Sequence, residues 1–179
     1  LIQSGLQNEY LKKLLNFKEE STYNIRTAKV INLGPGPIFS SLTIDLGSND
    51  GIKKNLPIIT TNGIVGKTIL INEETSLVQT INDANFRLSV KILPSEATGI
   101  MRFYDNDVFE IREIQKNANI KIGDKVVTSG FSKIYPEGLN AGVVTEIIDN
   151  RGSFQKVARS KNPYSENNNL YVFVVQEQN

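Results

Sequence analysis

Hydrophobic and polar residues alternate along most of the chain from about residue 24 onward. The clearest runs are residues 42–46, 65–71, 88–92 and 143–147. Because successive side chains of a β-strand point to opposite faces, this period of two predicts strands with one buried face. In the last run, Val143 and Ile147 are predicted to share a face. Turn sequences such as Asn62-Gly63 separate the runs. The pattern predicts a mainly β protein of short antiparallel strands, arranged as barrels or as a sandwich.

Residues 1–23 follow a different pattern, which predicts an N-terminal helix. Apolar residues recur there at steps of three or four, and these are Leu6, Tyr10, Leu14 and Phe17. Such spacing places them on one face of a helix. Two interpretations remain open, a helix packed on the following domain or the end of a coiled coil. Fewer than three heptads are present, so the spacing alone does not decide between them.

An internal repeat divides the rest of the chain. Residues 52–60 recur in modified form as 120–128, and a glycine-containing strand follows each copy. The second copy is longer by the segment 131–138. We predict two tandem β units, residues 24–98 and 99–179, with strands that can be exchanged between them. Units this small bury little of their surface alone, so the two are expected to pack against each other. The crevice between them is the expected docking site for a partner.

Composition removes several classes of function. The 179 residues contain no His and no Cys, which excludes histidine-based triads, thiolate nucleophiles, zinc ribbons and disulfides. The segment Asp105-Asn106-Asp107 lacks the glycine and the glutamate that a calcium loop needs. A formal net charge of +1 lacks the basic excess of a dedicated nucleic-acid binder. Carboxylate pairs, serine–lysine dyads and phosphate loops remain as catalytic options. Our expectation is nevertheless a protein without enzyme activity, cofactor, metal or nucleic-acid partner.

Two short motifs invite catalytic interpretations. Gly66-Lys67-Thr68 resembles the end of a phosphate loop, but Thr61 stands where the first glycine belongs and a strand follows instead of a helix. Ser129 beside a glycine resembles a nucleophile, but a serine–lysine dyad would need a lysine brought close by the fold, and the four-residue spacing to Lys125 and Lys133 does not establish one. A turn residue at the end of a strand is the favoured interpretation of Ser129.

Apolar residues in predicted turns are the remaining signal. They are Ile38, Phe39, Phe131, Ile134, Tyr135 and Pro136. Because turns are normally polar, such residues either pack back onto the core or contact a partner protein. Both interpretations remain open, and we take these six residues as candidate interface positions.

Two blocks of the sequence resemble the two halves of the MreC family of bacterial rod-shape-determining proteins. The first block is residues 45–52 with Pro57 and 63–67, and the second is 123–131 with 135–138 and 142–144. Together the matching residues extend from about 25 to 179. Ala141 and residues 161–164 depart from the family pattern, which affects only the expected loop details.

The resemblance implies a fold, a location and partners. The fold is two small antiparallel β-barrels of the trypsin-like type without catalytic residues, preceded by the helix. The location is the periplasm, with an anchor in the inner membrane through a segment outside this chain. The implied role is a scaffold of peptidoglycan synthesis that maintains rod shape and binds and activates the elongation-specific penicillin-binding transpeptidase. MreD, RodA and the MreB cytoskeleton are further implied partners, and the N-terminal helix would support self-association as a dimer or filament.

A periplasmic adaptor of an efflux or secretion system is the alternative. Such adaptors also join small barrels to helices and use phrases similar to residues 123–127. They require a lipoyl-like domain and two long antiparallel helices, which the pattern of this chain does not predict.

Overall fold

The structure is a computed structural model that describes residues 24–34, 40–162 and 170–176. Its regular elements are twelve strands and a short 3-10 helix, Ser48–Asp50. The strands are β1 (Asn24–Leu33), β2 (Ser41–Ile44), β3 (Pro57–Thr60), β4 (Gly63–Ile71), β5 (Ser76–Thr80), β6 (Leu88–Leu93), β7 (Ala97–Asp105), β8 (Val108–Gln115), β9 (Lys125–Thr128), β10 (Asn140–Ile148), β11 (Gln155–Lys161) and β12 (Tyr171–Gln176). The predicted helix over residues 1–23 lies outside the described residues.

The strands close into two antiparallel barrels of six strands each. The first has the order β1-β12-β3-β4-β5-β2, and the second has the order β10-β11-β8-β7-β6-β9. The predicted mainly β fold of two small antiparallel barrels is therefore confirmed. Closure leaves neither barrel with a free sheet edge, the element that otherwise invites aggregation.

The two barrels exchange their last strands. Strands β1 to β5 belong to the first barrel and β7 to β11 to the second. Equivalent strands of the two barrels have equivalent neighbours. The sixth strand of each is supplied by the other unit, since β12 pairs with β1 and β3, whereas β6 pairs with β7 and β9. The predicted units, 24–98 and 99–179, thus differ from the barrels, and their boundary falls within β7. The sequence leaves such an exchange open, because β6 and β12 have patterns that suit either barrel.

The alternation predicts the buried face correctly in some strands and fails in others. Leu88, Val90 and Ile92 of β6 are all buried, as their spacing predicts. In β10 the prediction is wrong, because Val143 is exposed and its neighbour Val144 is buried. A β-bulge between Val144 and Glu146 shifts the register there. An extra residue in a bulged strand reverses which side chains face the core.

A close contact joins the barrels at the turn before β4. Asn140 donates a hydrogen bond from Nδ2 to the carbonyl oxygen of Asn62 at 2.6 Å. A Cβ atom on Gly63 would lie 2.2 Å from the Asn140 carbonyl oxygen, and its φ of +138° also favours glycine. The glycine therefore permits the close approach of one barrel to the other.

Candidate functional site

An open cleft of about 950 Å³ lies where the two barrels meet. One wall is formed by residues 53–57 together with the end of β12, and it belongs to the first barrel. The other wall is formed by residues 129–137, which follow β9 of the second barrel. The cleft therefore lies between the two barrels, where the sequence predicts a crevice between two units, and the extra segment 131–138 forms one of its sides.

Two buried threonines hold the walls in place. Thr68 donates from Oγ1 to the Lys53 carbonyl at 2.6 Å and accepts the Leu56 amide at 2.9 Å. Thr128 donates from Oγ1 to the Pro136 carbonyl at 2.5 Å and accepts the Leu139 amide at 2.9 Å. Each hydroxyl thus bridges two backbone groups of a loop, which satisfies polar atoms that the core would otherwise penalise.

The structure brings four of the predicted apolar residues together in one wall of the cleft. Phe131 is 74% exposed, whereas Ile134 and Pro136 are half-buried. Tyr135 is buried, and its ring packs edge-to-face on Phe86 at a centroid distance of 6.3 Å. Of the two interpretations given for these apolar residues, core packing holds for Tyr135. Phe131 instead presents its ring to the cleft, where it is accessible to a partner. The other candidates, Ile38, Phe39 and the helix residues Leu6, Tyr10, Leu14 and Phe17, lie outside the described residues.

The hydroxyl group of Tyr135 has no hydrogen-bond partner among the described residues. Burial disfavours its ionised form and raises the pKa of the phenol above its ordinary value. An unpaired buried hydroxyl costs stability in the folded state. The ring of Tyr135 thus stabilises the cleft wall by packing on Phe86, whereas its unpaired hydroxyl lowers the free energy of unfolding.

Replacing Tyr135 with phenylalanine is expected to raise the free energy of unfolding by about 1 kcal/mol at neutral pH. Above the ordinary tyrosine pKa, the unfolded wild-type chain loses a proton that the buried phenol keeps, so wild-type stability falls as pH rises. The advantage of the variant should then grow between about pH 8 and about pH 10.5. Urea unfolding at both pH values measures it. Tyr104→Phe, which removes a half-exposed hydroxyl that accepts a hydrogen bond from Arg159 at 3.3 Å, is the contrasting variant and should gain no stability. A less stable Tyr135→Phe variant would show that the hydroxyl is paired.

Lysines line the rim of the cleft and were missed by sequence reasoning. Lys53 and Lys54 stand on the wall of the first barrel and Lys133 on the opposite wall, and all three are exposed. Glu137, the one acidic residue among the described lining, accepts a hydrogen bond from Lys91. That hydrogen bond, with the neighbouring carboxylates, raises the pKa of the Lys91 ammonium. The rim therefore carries positive charge on both sides of an apolar floor.

The described residues show no arrangement with obvious chemistry. They contain no group of three or more acidic side chains placed to hold a metal ion. Ser129 accepts the Phe131 amide at 3.3 Å, which is the turn contact favoured for it. In the part of the chain that the structure covers, no helix has the length and apolar character to cross a bilayer.

Two closed barrels joined by exchanged strands, with a cleft between them, define a double-β-barrel domain. A family model described as "Rod shape-determining protein MreC, barrel core" matches residues 30–176. The chain therefore belongs to the MreC family, as its sequence blocks predict.

Known relatives agree with this assignment. The cell shape-determining protein MreC of Listeria monocytogenes is 29% identical over 158 residues, which cover 85% of this chain and 54% of the relative. MreC of Streptococcus pneumoniae is 30% identical over 145 residues, covering 77% of this chain and 53% of the relative. The chain thus spans about half the length of these curated relatives.

Solved structures share the fold. One structure named MreC superposes with a TM-score of 0.88 at 26% identity, covering 96% of this chain and 98% of the other. The major periplasmic domain of the cell shape-determining filament MreC superposes with a TM-score of 0.75 at 25% identity, covering 89% of this chain and 100% of the other. A third match comes from the complex between penicillin-binding protein PBP2 and MreC from Helicobacter pylori. It superposes with a TM-score of 0.70 at 19% identity, covering 87% of this chain and 100% of the other.

Proposed function

We propose that this chain is the periplasmic part of a non-enzymatic scaffold of cell elongation, which binds and activates an elongation-specific penicillin-binding transpeptidase. Membership of a shape-determining family supports the role in rod shape. The Helicobacter pylori structure supports the partner, because it is a complex between PBP2 and MreC. The cleft of this chain is the proposed binding site, and the exposed ring of Phe131 is the observation that carries the proposal.

Activation would follow from differential binding. A ligand shifts a partner between two conformations only if it binds one of them more tightly. The cleft would hold a membrane-proximal segment of the transpeptidase in the conformation that supports synthesis. Such a role needs an apolar floor and fixed walls, both of which this cleft has, and it needs no catalytic group. The hydrogen bonds of Thr68 and Thr128 to the two loops support this proposal, because each anchors the backbone of one wall.

Truncation of Phe131 to alanine is expected to weaken binding of the transpeptidase ectodomain about tenfold. Aromatic anchors in a cleft dominate interface energies, and burying a phenylalanine side chain contributes roughly 2 kcal/mol. Because Phe131 is exposed in the free chain, its removal should leave the free energy of unfolding nearly unchanged. Isothermal titration calorimetry with the purified ectodomain measures the effect.

Phe154 provides the matched control for this experiment. It is 94% exposed on the turn between β10 and β11 and is not among the residues that line the cleft. Phe154→Ala removes the same side chain from the surface and should bind as the wild type does. Equal affinities for the wild type and both variants would place the binding site elsewhere.

The remaining partners belong to the same proposal. MreD, RodA, the MreB cytoskeleton and self-association through the helix residues Leu6, Tyr10, Leu14 and Phe17 are expected from the family, as is an anchor in the inner membrane. One structural neighbour is the periplasmic domain of a cell shape-determining filament, which supports self-association in that protein. No feature of the described residues favours the periplasmic adaptor over the scaffold.

A further inference from the structure

We infer that the cleft selects a partner segment in which acidic side chains flank an apolar anchor, an inference that rests on the proposed binding of the transpeptidase at this cleft. The observation behind it is the placement of charge at the rim. Lys53 and Lys54 lie on one wall and Lys133 lies on the other. An apolar side chain seated between the walls therefore has cationic groups on both sides of it.

The positive charge of the rim is not offset within the described part of the cleft. Glu137 is the single acidic residue in its described lining, and that carboxylate already accepts a hydrogen bond from Lys91, which also lies 3.8 Å from Glu96. No ion pair to Lys53, Lys54 or Lys133 is formed by the described residues. The charge is also local, because the whole chain carries a formal net charge of only +1. The cleft is thus a positive feature on a nearly neutral protein.

The backbone beneath the first two lysines is fixed. The Lys53 carbonyl accepts the Thr68 hydroxyl, and the Asn55 amide donates to the Thr68 carbonyl at 2.9 Å. Their side chains therefore extend from a segment whose position relative to the floor is constant. Cationic side chains that extend from an anchored backbone segment act on orientation and association rate as well as on affinity.

The floor between the lysines is apolar and indicates a polypeptide ligand. Leu56, Pro57 and Tyr135 are buried side chains of the lining, and Phe131 and Ile134 extend the apolar surface outward. A recessed floor of this kind accommodates one or two side chains of a segment, with carboxylates reaching the rim. An anionic lipid surface would meet the rim lysines but would leave the recessed floor without contact.

The test reverses charge at the rim and measures binding of the transpeptidase ectodomain. The double variant Lys53→Glu/Lys54→Glu should bind about tenfold more weakly than the wild type at about 50 mM salt, mostly through a slower association rate. At about 500 mM salt the difference should shrink to about twofold, because screening removes most of a surface charge interaction. Surface plasmon resonance gives both rates at each salt concentration.

A control with the same change in net charge is Lys121→Glu/Lys161→Glu, at two exposed lysines outside the cleft lining. It should stay within about twofold of the wild type, since neither lysine is among the residues that line the cleft. A loss as large as that of the rim variant would overturn the inference. If Phe131→Ala weakens binding and the rim variant does not, the charge inference fails while the proposed function stands.

Two further outcomes separate the alternatives. If neither Phe131→Ala nor the rim variant changes the affinity, the proposed binding site itself is wrong. Sedimentation with phosphatidylglycerol vesicles tests the lipid alternative. Vesicle binding that depends on Lys53 and Lys54, together with unchanged transpeptidase binding, would assign the rim to an anionic membrane and overturn the inference.

Discussion

Truncation of Phe173 to alanine is expected to lower the free energy of unfolding by about 3–5 kcal/mol. Phe173 is fully buried in the first barrel, and its strand β12 pairs there with Thr27 of β1 and Ile59 of β3. Replacing a buried phenylalanine removes its transfer energy and leaves a cavity that closed strands cannot collapse to fill. This loss is a large part of the stability of an ordinary domain.

The exchange of strands predicts that both barrels respond to this change. Strand β12 belongs to the first barrel but follows β11 of the second, and β6 belongs to the second but follows β5 of the first. Neither barrel can open its sixth strand without pulling on the other. Amide hydrogen exchange read by mass spectrometry should therefore show faster exchange in the strands of both barrels in the Phe173→Ala variant.

Phe154→Ala is the control for this experiment as well. Its ring is exposed, so the free energy of unfolding should change by less than about 0.5 kcal/mol. Loss of protection confined to the first barrel in Phe173→Ala would show that the barrels unfold independently, in spite of the exchange.

The sequence predicts the buried face correctly in strands without a bulge near the alternating run, because there the period of two reflects burial directly. Leu42 and Ile44 of β2 lie in the core, as does the alternating run of β6. The repeat also predicts two related units in tandem, and equivalent strands of the two barrels do have equivalent neighbours. The repeat does not predict which barrel contains β6 and which contains β12, because a strand with one apolar face can close either barrel. That choice depends on the path of the connecting chain, which no local pattern records.

The candidate site was predictable in part. Apolar residues in a predicted turn identify Phe131 and its neighbours, and the structure places four of them in the cleft wall. The separation of buried Tyr135 from exposed Phe131 depends on the position of Phe86 on a distant segment. The rim lysines gave no signal, because Lys53 and Lys54 are two among 20 basic residues spread along the chain. Only the fold brings them opposite Lys133.

Replacement of Glu110 with glutamine is expected to lower the free energy of unfolding by about 2–3 kcal/mol. The Glu110 side chain is only 6% exposed, and its carboxylate lies among three guanidinium groups. Its oxygen atoms are 2.8 Å from Nε of Arg112, 3.5 Å from Nη2 of Arg102 and 3.7 Å from Nε of Arg159. Glutamine preserves the shape but removes the charge, so three cations on neighbouring strands are left to repel one another.

Position across the sheet explains why this one carboxylate matters. Arg102 of β7, Glu110 of β8, Arg159 of β11 and Glu146 of β10 are successive partners, so opposite charges alternate over four strands of the second barrel. Oppositely charged cross-strand neighbours stabilise a sheet, and like charges placed there destabilise it. Glu110 contacts arginines on both sides, whereas Glu146 lies at the end of the row and, among the described residues, forms an ion pair with Arg159 only.

Glu146→Gln is therefore the matched control, with an expected loss below about 1 kcal/mol because its side chain is half exposed. The loss in the free energy of unfolding caused by Glu110→Gln should become smaller at high salt, because salt screens the repulsion between the three arginines. A loss caused by a packing defect would not depend on salt. Urea unfolding of both variants at about 50 mM and about 500 mM salt separates the two causes. Equal losses for Glu110→Gln and Glu146→Gln would show that the buried carboxylate contributes no more than an ordinary surface ion pair, and the row of charges would then not stabilise the barrel.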